Sequence, residues 1–438
     1  MCDAEAAQSK TEVRMTRKPA DRDYLLDLFR TAVDRARPAN CLARFLPEPV
    51  TGRTVVVGGG KAAGAMAEAF EAAWEGEAEG LVVTRDGYAR PTRYLRVVEA
   101  AHPVPDERGL KAAREILDLV AGLGADDQVI CLLSGGGSAL LTCPAEGVGL
   151  EAKQAVTRSL LRSGAPIQDI NTVRRRLSAI KGGGLARAAF PAKVVTLAIS
   201  DVVGDDPAVI ASGPTVPDPT TARDALDVLE RYAIEPPEEV RRHLEREAEA
   251  EEPPFPECDY RLIARPRDAL DAAKAQAESD GIEVIDLGDA LEGEARDVAP
   301  GHADMARRLQ HGPRDCLILS GGELTVTIAN EKGRGGPNRE YAMALALALG
   351  GAGGITALAA DTDGVDGSGE AAGAIVDPTT WMRARATGVD LGRALAENDT
   401  HDAFERLGDL VATGPTFTNV NDFRAIIVRS RAGKYHAP

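Results

Sequence analysis

Short apolar runs alternate with longer amphipathic stretches along most of the chain. The apolar runs predict strands at 54–57, 81–84, 129–133 and 193–199, and the amphipathic stretches predict helices at 23–35, 62–74, 110–121 and 150–162. A basic helix with a glycine break is predicted at 174–190. This alternation is typical of a doubly wound, mostly parallel sheet with ligand loops at the carboxyl ends of its strands. The first half of the chain is therefore predicted to form an α/β domain.

The pattern stops and restarts near the middle of the chain. An acidic helical stretch at 238–252 ends at the rigid sequence Pro253-Pro254-Phe255-Pro256. Beyond it, strands are predicted at 261–264, 283–287, 316–319, 324–328, 355–360 and 425–428. A chain of 438 residues is long enough for two domains that each bury a core. The prediction is two Rossmann-like α/β domains with mostly parallel sheets, at 20–252 and 258–435, which face each other across an interdomain cleft.

Composition narrows the classes of partner. The formal net charge of −17 argues against nucleic acid and anionic membranes, so any anionic ligand needs locally concentrated positive charge. Six cysteines without a C-x-x-C pair, and a polar start without an apolar segment, predict a cytoplasmic protein without a secretory signal. The uncharged stretch 341–360 is interrupted by four glycines, which predicts a helix and a short strand rather than a membrane span.

Three predicted strands run directly into glycine-rich turns. Glycines let backbone amides approach an anion closely, and a following helix start adds partial positive charge. Each turn by itself is equally compatible with ordinary packing in an α/β protein, but three matching turns favour a shared anion site. The turns are Gly58-Gly59-Gly60 followed by Lys61, Ser134-Gly135-Gly136-Gly137-Ser138, and Ser320-Gly321-Gly322.

Charged residues near these turns supply candidate chemistry. Arg174 and Lys181 lie seven positions apart and would share a face of the predicted basic helix, although a solvated basic face is the alternative. Carboxylates follow two strands, at Asp201 and at Asp361-Thr362-Asp363. Such carboxylates bind Mg²⁺, accept a proton from a substrate hydroxyl, or cap a helix. A basic loop with Arg339 offers a guanidinium for a carboxylate or phosphate.

Several familiar catalytic motifs are absent from the sequence. It contains no G-x-x-x-x-G-K-[ST], no H-E-x-x-H and no G-x-S-x-G. A Walker-type NTPase, a zincin and an α/β-hydrolase therefore lose support. His102 lies in a segment stiffened by two prolines, and a structural role is favoured for it.

An ordered series of motifs spans the chain from about residue 24 to 428. It includes VVVGGGKAAGAM, LLSGGGSALL, NTVRRRLSAIKGGGLA, AISDVVGDDPAVIASGPTVPDPTT, LSGGELTVTI, GGPNREYA, AADTDGVDG and TNVNDFRAIIV. In this order the motifs resemble those of class II glycerate 2-kinases, some of which are named hydroxypyruvate reductases. The resemblance implies a two-domain kinase with a carboxyl-terminal MOFRL domain, which transfers the γ-phosphoryl group of ATP to the 2-hydroxyl of D-glycerate with Mg²⁺. Two departures, Arg176 where a histidine is expected and Gly184 where an arginine is expected, bear on substrate preference.

The resemblance and the motifs together give a set of predicted site residues. Lys61, Asp201 and Arg339 are predicted to be catalytic, with Lys61 and Arg339 offsetting phosphoryl charge and Asp201 orienting or deprotonating the acceptor hydroxyl. Asp361 and Asp363 are predicted to hold the metal. Nucleotide or substrate is predicted to bind at Gly58, Gly59, Gly60, Ser134, Gly135, Gly136, Gly137, Ser138, Arg174, Lys181, Ser320, Gly321, Gly322 and Asn338.

Two other functions remain open on the sequence. An NAD(P)-dependent reductase of hydroxypyruvate or tartronate semialdehyde is the first, because Gly58, Gly60 and Gly64 also fit a loose dinucleotide-binding spacing. Its acidic ribose partner would have to come from Arg85-Asp86 after the second strand. A non-catalytic sugar-acid binding protein is the second. The domain that binds adenine and the oligomeric state, including a homodimer, are also left open.

Overall fold

The computed structural model describes residues 20–250 and 255–432, and it divides them between two lobes. The first sheet has six parallel strands in the order β3-β2-β1-β4-β5-β6. These strands are β1 (Thr54–Gly59), β2 (Glu79–Arg85), β3 (Leu95–Ala100), β4 (Gln128–Leu133), β5 (Lys193–Ile199) and β6 (Cys258–Ala264). Every residue of β1 and β4 is buried, as expected for parallel strands covered on both faces.

Ten α-helices lie between residues 21 and 249, and some of them cover this first sheet. They are α1 (Asp21–Ala36), α2 (Pro38–Cys41), α3 (Ala63–Ala73), α4 (Glu107–Val120), α5 (Gly137–Leu140), α6 (Leu150–Arg162), α7 (Ile167–Arg176), α8 (Gly184–Ala189), α9 (Ala222–Arg231) and α10 (Glu238–Glu249). The single basic helix predicted at 174–190 is wrong, because α7 and α8 are separate. Gly182 and Gly183, at φ +55° and +82°, supply the left-handed backbone that parts them.

The second sheet contradicts the prediction of mostly parallel strands, although the α/β class is confirmed. Its order is β13-β12-β11-β14-β9-β7, and only β7 and β9 run parallel. Strands β11 and β12 are joined without a crossover helix, and such a short connection permits only antiparallel pairing. The strands are β7 (Glu283–Asp286), β8 (Glu292–Glu294), β9 (Cys316–Ser320), β10 (Glu323–Thr325), β11 (Ile355–Asp361), β12 (Gly373–Val376), β13 (Leu410–Val411) and β14 (Asp422–Val428), with β8 and β10 forming a separate parallel pair.

Helices of the second lobe separate some of its consecutive strands but not all of them. They are α11 (Pro266–Ser279), α12 (Ala295–Leu309), α13 (Pro337–Leu349), α14 (Thr380–Thr387), α15 (Leu391–Ala396) and α16 (Thr400–Leu407). The uncharged stretch 341–360 divides between α13 and β11, as predicted. Within the described ranges, we find no helix with both the length and the apolar character that a bilayer crossing requires.

The chain segments that form each lobe differ from the predicted domains at 20–252 and 258–435. Strand β6 follows the predicted boundary yet pairs with β5 in the first sheet. Helix α1 lies at the start of the chain, yet its Phe29 ring packs 5.7 Å from the Phe423 ring of β14 in the second sheet. Pairing and packing across the sheets, which local sequence patterns do not encode, decide both placements. Residues 251–252 and 433–435 of those predicted ranges, and Pro253 and Pro254 of the predicted boundary, lie outside the described residues.

The two lobes share buried apolar contacts. One continuous cluster includes Phe29 of α1, Phe70 of α3, Leu197 of β5 and Phe423 of β14. Because this cluster spans both sheets, α1 and α11 join the lobes beneath the cleft described below.

We expect Phe29→Ala to lower the free energy of unfolding by about 3–5 kcal/mol, because it removes a ring that is 1% exposed between α1 and the second sheet. Urea unfolding followed by circular dichroism measures the effect. Phe190→Ala is the matched control, since this ring is 67% exposed and its loss should cost about 0.5 kcal/mol or less. Equal urea midpoints for the two variants would contradict the placement of α1.

Candidate active site

A cleft of about 380 Å³ lies where the carboxyl ends of β1, β2 and β11 meet. Residues of both lobes line it. The polar side chains among them are Lys61, Arg85 and His102 from the first lobe and Glu323, Asp361, Asp363, Asp366, Asn421 and Asp422 from the second. Carboxylates outnumber cations on its walls, which fits a site that receives a cation together with an anionic ligand.

Lys61 connects the two lobes across this cleft. Its Nζ donates to Oδ2 of Asp363 at 2.6 Å, and the Asp363 side chain is fully buried. Burial by itself would lower the pKa of Lys61, but the charges of Asp363, Asp361 and Asp201 raise it above its ordinary value. The ammonium group is therefore charged at neutral pH and is held among three carboxylates.

Asp201 follows β5 and lies against the Ser134–Ser138 turn. A Cβ atom on Gly135 would come within 1.7 Å of Oδ2 of Asp201, so only glycine permits this approach. The amide of Asn419, from the second lobe, donates to the same oxygen at 2.7 Å. Burial raises the pKa of Asp201 to about 6, and the charge of Lys61 partly opposes that rise. The carboxylate is thus ionised at neutral pH and is a stronger base than an ordinary aspartate.

The loop after β11 presents Asp361 and Asp363 in a fixed arrangement. Oδ1 of Asp361 accepts from the Asp363 amide at 2.9 Å, and Oδ1 of Asp363 accepts from the Val365 amide at 2.8 Å. Burial and the neighbouring charge of Asp363 raise the pKa of Asp361 well above its usual range. This excess of buried negative charge is relieved when a divalent cation binds, and carboxylate oxygens are the ligands that Mg²⁺ prefers.

The carboxylates of this loop do not form a preassembled three-ligand group. Within the described ranges, only His401, Asp402 and Glu405 bring three such ligand atoms within 4.8 Å of one another. That group has protein partners, since His401 contacts the Arg339 guanidinium and Asp402 pairs with Arg334 at 2.9 Å. Asp361 and Asp363 are therefore held around Lys61 and need further oxygen ligands from substrate or water to complete a metal site.

Asp422 is a cleft carboxylate that was not among the predicted site residues. Its Oδ1 accepts from Nδ2 of Asn338 at 2.6 Å, and its Oδ2 accepts from the buried guanidinium of Arg424 at 2.9 Å. Asn338 therefore positions Asp422 and does not line the cleft. The motif TNVNDF carries both Asn419 and Asp422, and its polar residues immediately before a buried strand were the available signal.

Arg339 does not reach the cleft, which contradicts its predicted catalytic role. Its side chain is 0% exposed, and its Nε donates to Oδ2 of Asp366 at 2.9 Å. The guanidinium also donates to the carbonyl oxygens of Asp366 and Ser368 and contacts His401. All of its nitrogens thus have partners in the second lobe, where the side chain fixes the loop 366–368. Arg85 provides the second cation of the cleft instead.

The first glycine turn does not offer its amides to a ligand. Gly58 and Gly59 belong to β1 itself, and a Cβ atom on Gly58 would come within 1.9 Å of the Leu132 carbonyl oxygen. The amides of Gly60 and Lys61 donate to the carbonyls of Val83 and Gly135, at 3.0 and 2.8 Å. These glycines therefore serve close packing of β1 against β4, and the predicted amide contacts of this turn to phosphate are not present.

The other two glycine turns differ in their exposure to the cleft. At Ser320-Gly321-Gly322, the Gly321 amide donates to the Gly288 carbonyl and Arg424 binds the Gly321 carbonyl, so both backbone groups of Gly321 have protein partners. In the Ser134–Ser138 turn, Gly137 donates to Ser134 at 3.2 Å, while the amides of Gly135 and Gly136 have no acceptor among the described residues. Gly136 lies against His102 and Lys61. The Ser134–Ser138 turn therefore places free amides beside two residues that line the cleft.

Arg174 and Lys181 meet beside the Ser134–Ser138 turn although they do not share a helix. Nη2 of Arg174 lies 3.0 Å from Oγ of Ser138, and Nζ of Lys181 lies 2.9 Å from the same atom. The two side chains are therefore close together, as predicted, but they are not on one helix face.

The fold and the cleft define a class of protein: a two-lobed α/β protein with a carboxylate-rich site between its lobes. The model for a domain of unknown function, DUF4147, matches residues 24–245, and the MOFRL family model matches residues 316–422. The chain belongs to the family of glycerate kinases that carry a MOFRL domain.

Individual relatives cover almost the whole chain. A protein of Agrobacterium vitis named "Putative hydroxypyruvate reductase" is 50% identical, with 93% of this chain and 94% of that protein covered. The D-glycerate 2-kinase of Thermotoga maritima is 40% identical, with 91% and 96% covered. A crystal structure of a glycerate kinase from Thermotoga maritima superposes with a TM-score of 0.86 at 38% identity, with 93% of this chain and 99% of that chain covered.

We expect Asp201→Asn to stabilise the protein at high pH. The folded pKa of about 6 lies above the unfolded value of about 3.9, so the ionised carboxylate destabilises the fold above pH 6, and this penalty fades as the pH falls. The free energy of unfolding should rise by up to about 3 kcal/mol at pH 8 and by roughly half as much at pH 5. Urea midpoints at both pH values measure this. Asp126→Asn, at an exposed position, is the control, and a pH-independent difference for Asp201→Asn would contradict the assignment.

Proposed function

We propose that this protein is an ATP-dependent kinase that phosphorylates the 2-hydroxyl of D-glycerate to give 2-phosphoglycerate. The observation that carries the proposal is the pairing of Lys61 with Asp363 across the cleft, with Asp201 close enough for its charge to act on Lys61, because phosphoryl transfer requires a cation, metal-binding carboxylates and a base around one position. The glycerate kinases among the relatives cover most of the chain and support the same reaction.

Lys61 is the proposed cation on the transferring phosphoryl group. The carboxylates around it keep it protonated in the free protein, so no proton has to be acquired when the nucleotide binds. Arg85 ends β2 on the same cleft wall, and its guanidinium rests 4.7 Å from the centre of the Tyr88 ring. In the described part of the chain, Arg85 has no carboxylate partner, which leaves its donors for the phosphate oxygens of ATP.

Asp201 is the proposed base or orienting group for the acceptor hydroxyl. A pKa of about 6 leaves it ionised at pH 7 and able to accept a proton as the oxygen of the acceptor attacks phosphorus. Asn419 fixes one carboxylate oxygen, and the backbone carbonyl of Asp201 accepts from Asn421 at 3.0 Å. Both asparagines come from the second lobe, so the orientation of the proposed base depends on contact between the lobes.

Asp361 and Asp363 are the proposed ligands of Mg²⁺, with Asp422 and Glu323 on the same wall of the cleft. Partial burial, followed by the charges of Asp201 and Asp422, raises the pKa of Glu323, in keeping with a crowded set of carboxylates. When bound, the ion would offset the negative charge of the phosphate groups and of these carboxylates.

A reductase of hydroxypyruvate is the second candidate, because two relatives carry that name. Two contacts weigh against it. The amides that a dinucleotide-binding turn would offer are bonded to protein acceptors at Gly60 and Lys61. The acidic residue after β2, Asp86, makes two bonds of 2.6 and 2.8 Å to the Arg108 guanidinium instead of being free for a ribose. A carboxylate-lined cleft also repels a pyrophosphate that carries no metal.

We expect the purified protein to form ADP only when D-glycerate, ATP and Mg²⁺ are all present. Phosphorus NMR of the product should show 2-phosphoglycerate, and EDTA should abolish turnover until Mg²⁺ is restored. The same preparation with hydroxypyruvate and NADH or NADPH should show no oxidation of the cofactor above background. Cofactor oxidation without glycerate-dependent ADP formation would favour the reductase and refute the proposal.

We expect Lys61→Met to impair turnover and Arg339→Met to impair stability. Lys61→Met should lower kcat by about 10²–10³-fold, because it removes charge stabilisation at the phosphoryl group. Arg339→Met should mainly lower stability, by about 3–5 kcal/mol, since it leaves Asp366 buried without its cation. Steady-state kinetics and thermal unfolding separate the two effects.

Two further variants keep this comparison decisive. Arg339→Lys retains the charge if Arg339→Met does not fold, and it should keep kcat within a few fold. Lys111→Met, on an exposed face of α4, is the control for loss of a lysine charge. Near-normal turnover of Lys61→Met at saturating substrates would exclude Lys61 from the reaction.

A further inference from the structure

Three basic side chains converge beside Ser138, at the end of the second glycine turn. Oγ of Ser138 lies 3.0 Å from Nη2 of Arg174, 2.9 Å from Nζ of Lys181 and 2.8 Å from Oγ of Ser212. Nζ of Lys181 also contacts the Ser138 carbonyl oxygen. One neutral serine thus serves as the shared acceptor for two cationic side chains.

Lys153 of α6 completes this group. Its side chain is 5% exposed, and its Nζ is buried without a hydrogen-bond partner in the structure. The groups whose charges act on it are Arg174 of α7 and the Cys143 thiol. A buried ammonium without an acceptor is costly and rare, so it calls for a partner that the protein alone does not supply.

The three cations also lack a carboxylate. Across residues 20–250 and 255–432, neither Lys153, Arg174 nor Lys181 forms an ion pair. The nearby Asp218 pairs with Arg175 and Arg176 instead, at 3.0 and 3.4 Å. In the cleft, by contrast, Lys61 is paired directly with Asp363.

The electrostatics of the group agree with its geometry. Burial and the charge of Arg174 lower the pKa of Lys153 to about 7. Burial and the charges of Lys153 and Arg174 lower the pKa of Lys181, and burial lowers that of Arg174. A bound anion would reverse all three shifts, because opposite charge favours the protonated forms.

The group lies close to the proposed reaction centre. Gly135 lies against Asp201. Ser138 follows Gly135 three residues later, so the Cα atoms of Gly135 and Ser138 are at most about 11 Å apart. Ser138 and Arg174 are both half-buried, so part of each residue is accessible from solvent. A small acid bound here by one end could therefore present its other end to Asp201.

We infer that Lys153, Arg174, Lys181 and Ser138 form an oxyanion site that binds the carboxylate of the acceptor acid. The inference rests on the proposed function for the identity of that acid. A carboxylate is favoured over a nucleotide phosphate because polyphosphate is bound together with a divalent cation, and the metal-binding carboxylates surround Lys61 rather than Ser138. Lys153 is the member that the sequence patterns did not single out.

Lys153→Met and Lys181→Met test this site by steady-state kinetics with each substrate varied in turn. Each variant should raise KM for D-glycerate at least tenfold and leave KM for ATP within about twofold. Lys153→Met should also unfold at a higher temperature than the wild type, because it removes a buried ammonium without a partner. A purely structural lysine would not change KM selectively, and Lys111→Met should leave both KM values unchanged.

Calorimetric binding of D-glycerate separates this inference from the proposed function. If the wild type shows no ATP-dependent turnover, the kinase proposal fails, while binding that Lys153→Met weakens at least tenfold still supports the site. The uncharged analogue glyceramide should bind the wild type much more weakly than glycerate, and Lys153→Met should narrow that difference. Unchanged affinity for glycerate in both variants overturns the inference, and so does a selective rise in KM for ATP, which would assign the site to nucleotide phosphate.

A pH series adds an independent readout. The groups that face Lys153 from the packed elements are Arg174, Lys181 and Cys143, and burial followed by the charge of Arg174 lowers the pKa of Lys153 to about 7. Burial also lowers the pKa of Lys181, so replacing Lys153 isolates its own contribution to the pH dependence. The ratio of KM for glycerate in Lys153→Met to that of the wild type should be largest at pH 6.5 and should shrink towards pH 8.5. A ratio that is constant across this range contradicts the assignment.

Discussion

The ion pair between Lys61 and Asp363 is the interaction on which the organisation of the cleft depends. The lysine follows β1 of the parallel sheet and the aspartate follows β11 of the mixed sheet, so one 2.6 Å contact fixes the distance between the lobes at the site. Each partner would be costly alone, since both are largely buried. The pair also keeps the lysine charged and leaves Asp361 and Asp201 with surplus negative charge.

Two electrically different regions follow from this arrangement. Around Lys61, carboxylates are in excess and a divalent cation would be stabilised. Around Ser138, Lys153, Arg174 and Lys181 leave cations in excess, and an anion would be stabilised. The short turn from Ser134 to Ser138 separates the two. A chain with a strongly negative total charge can therefore bind anionic substrates, because the local balance at each end of this turn, rather than the net charge, governs binding.

The sequence predicted the α/β class and most strands of the first sheet, because buried parallel strands are continuous apolar runs such as 129–133. It did not predict the direction of the strands in the second sheet or the placement of β6, since strand pairing depends on residues far apart in the chain. Among the site residues, Lys61, Asp361 and Asp363 do line the cleft, and Asp201 lies close enough for its charge to act on Lys61.

Arg339 and the first glycine turn show what sequence patterns leave undetermined. An arginine in a glycine-rich loop has the same sequence signature whether it faces a phosphate or a buried aspartate, and only the position of Asp366 decides between them. Gly58 has the same sequence signature whether its missing side chain makes room for a ligand or for the close approach of the neighbouring strand β4. Lys153 was overlooked for a related reason, since a lysine on an amphipathic helix normally faces water.

The placement of α1 has a consequence for synthesis on the ribosome. Tyr24, Leu28 and Phe29 are synthesised well before their partners on α11 and β14, which are more than two hundred residues further along. The nascent first lobe must therefore be completed while this apolar surface has no native partner, a state in which premature aggregation competes with folding. Packing of the second lobe against α1 is consequently a late step that has to wait for the synthesis of β14.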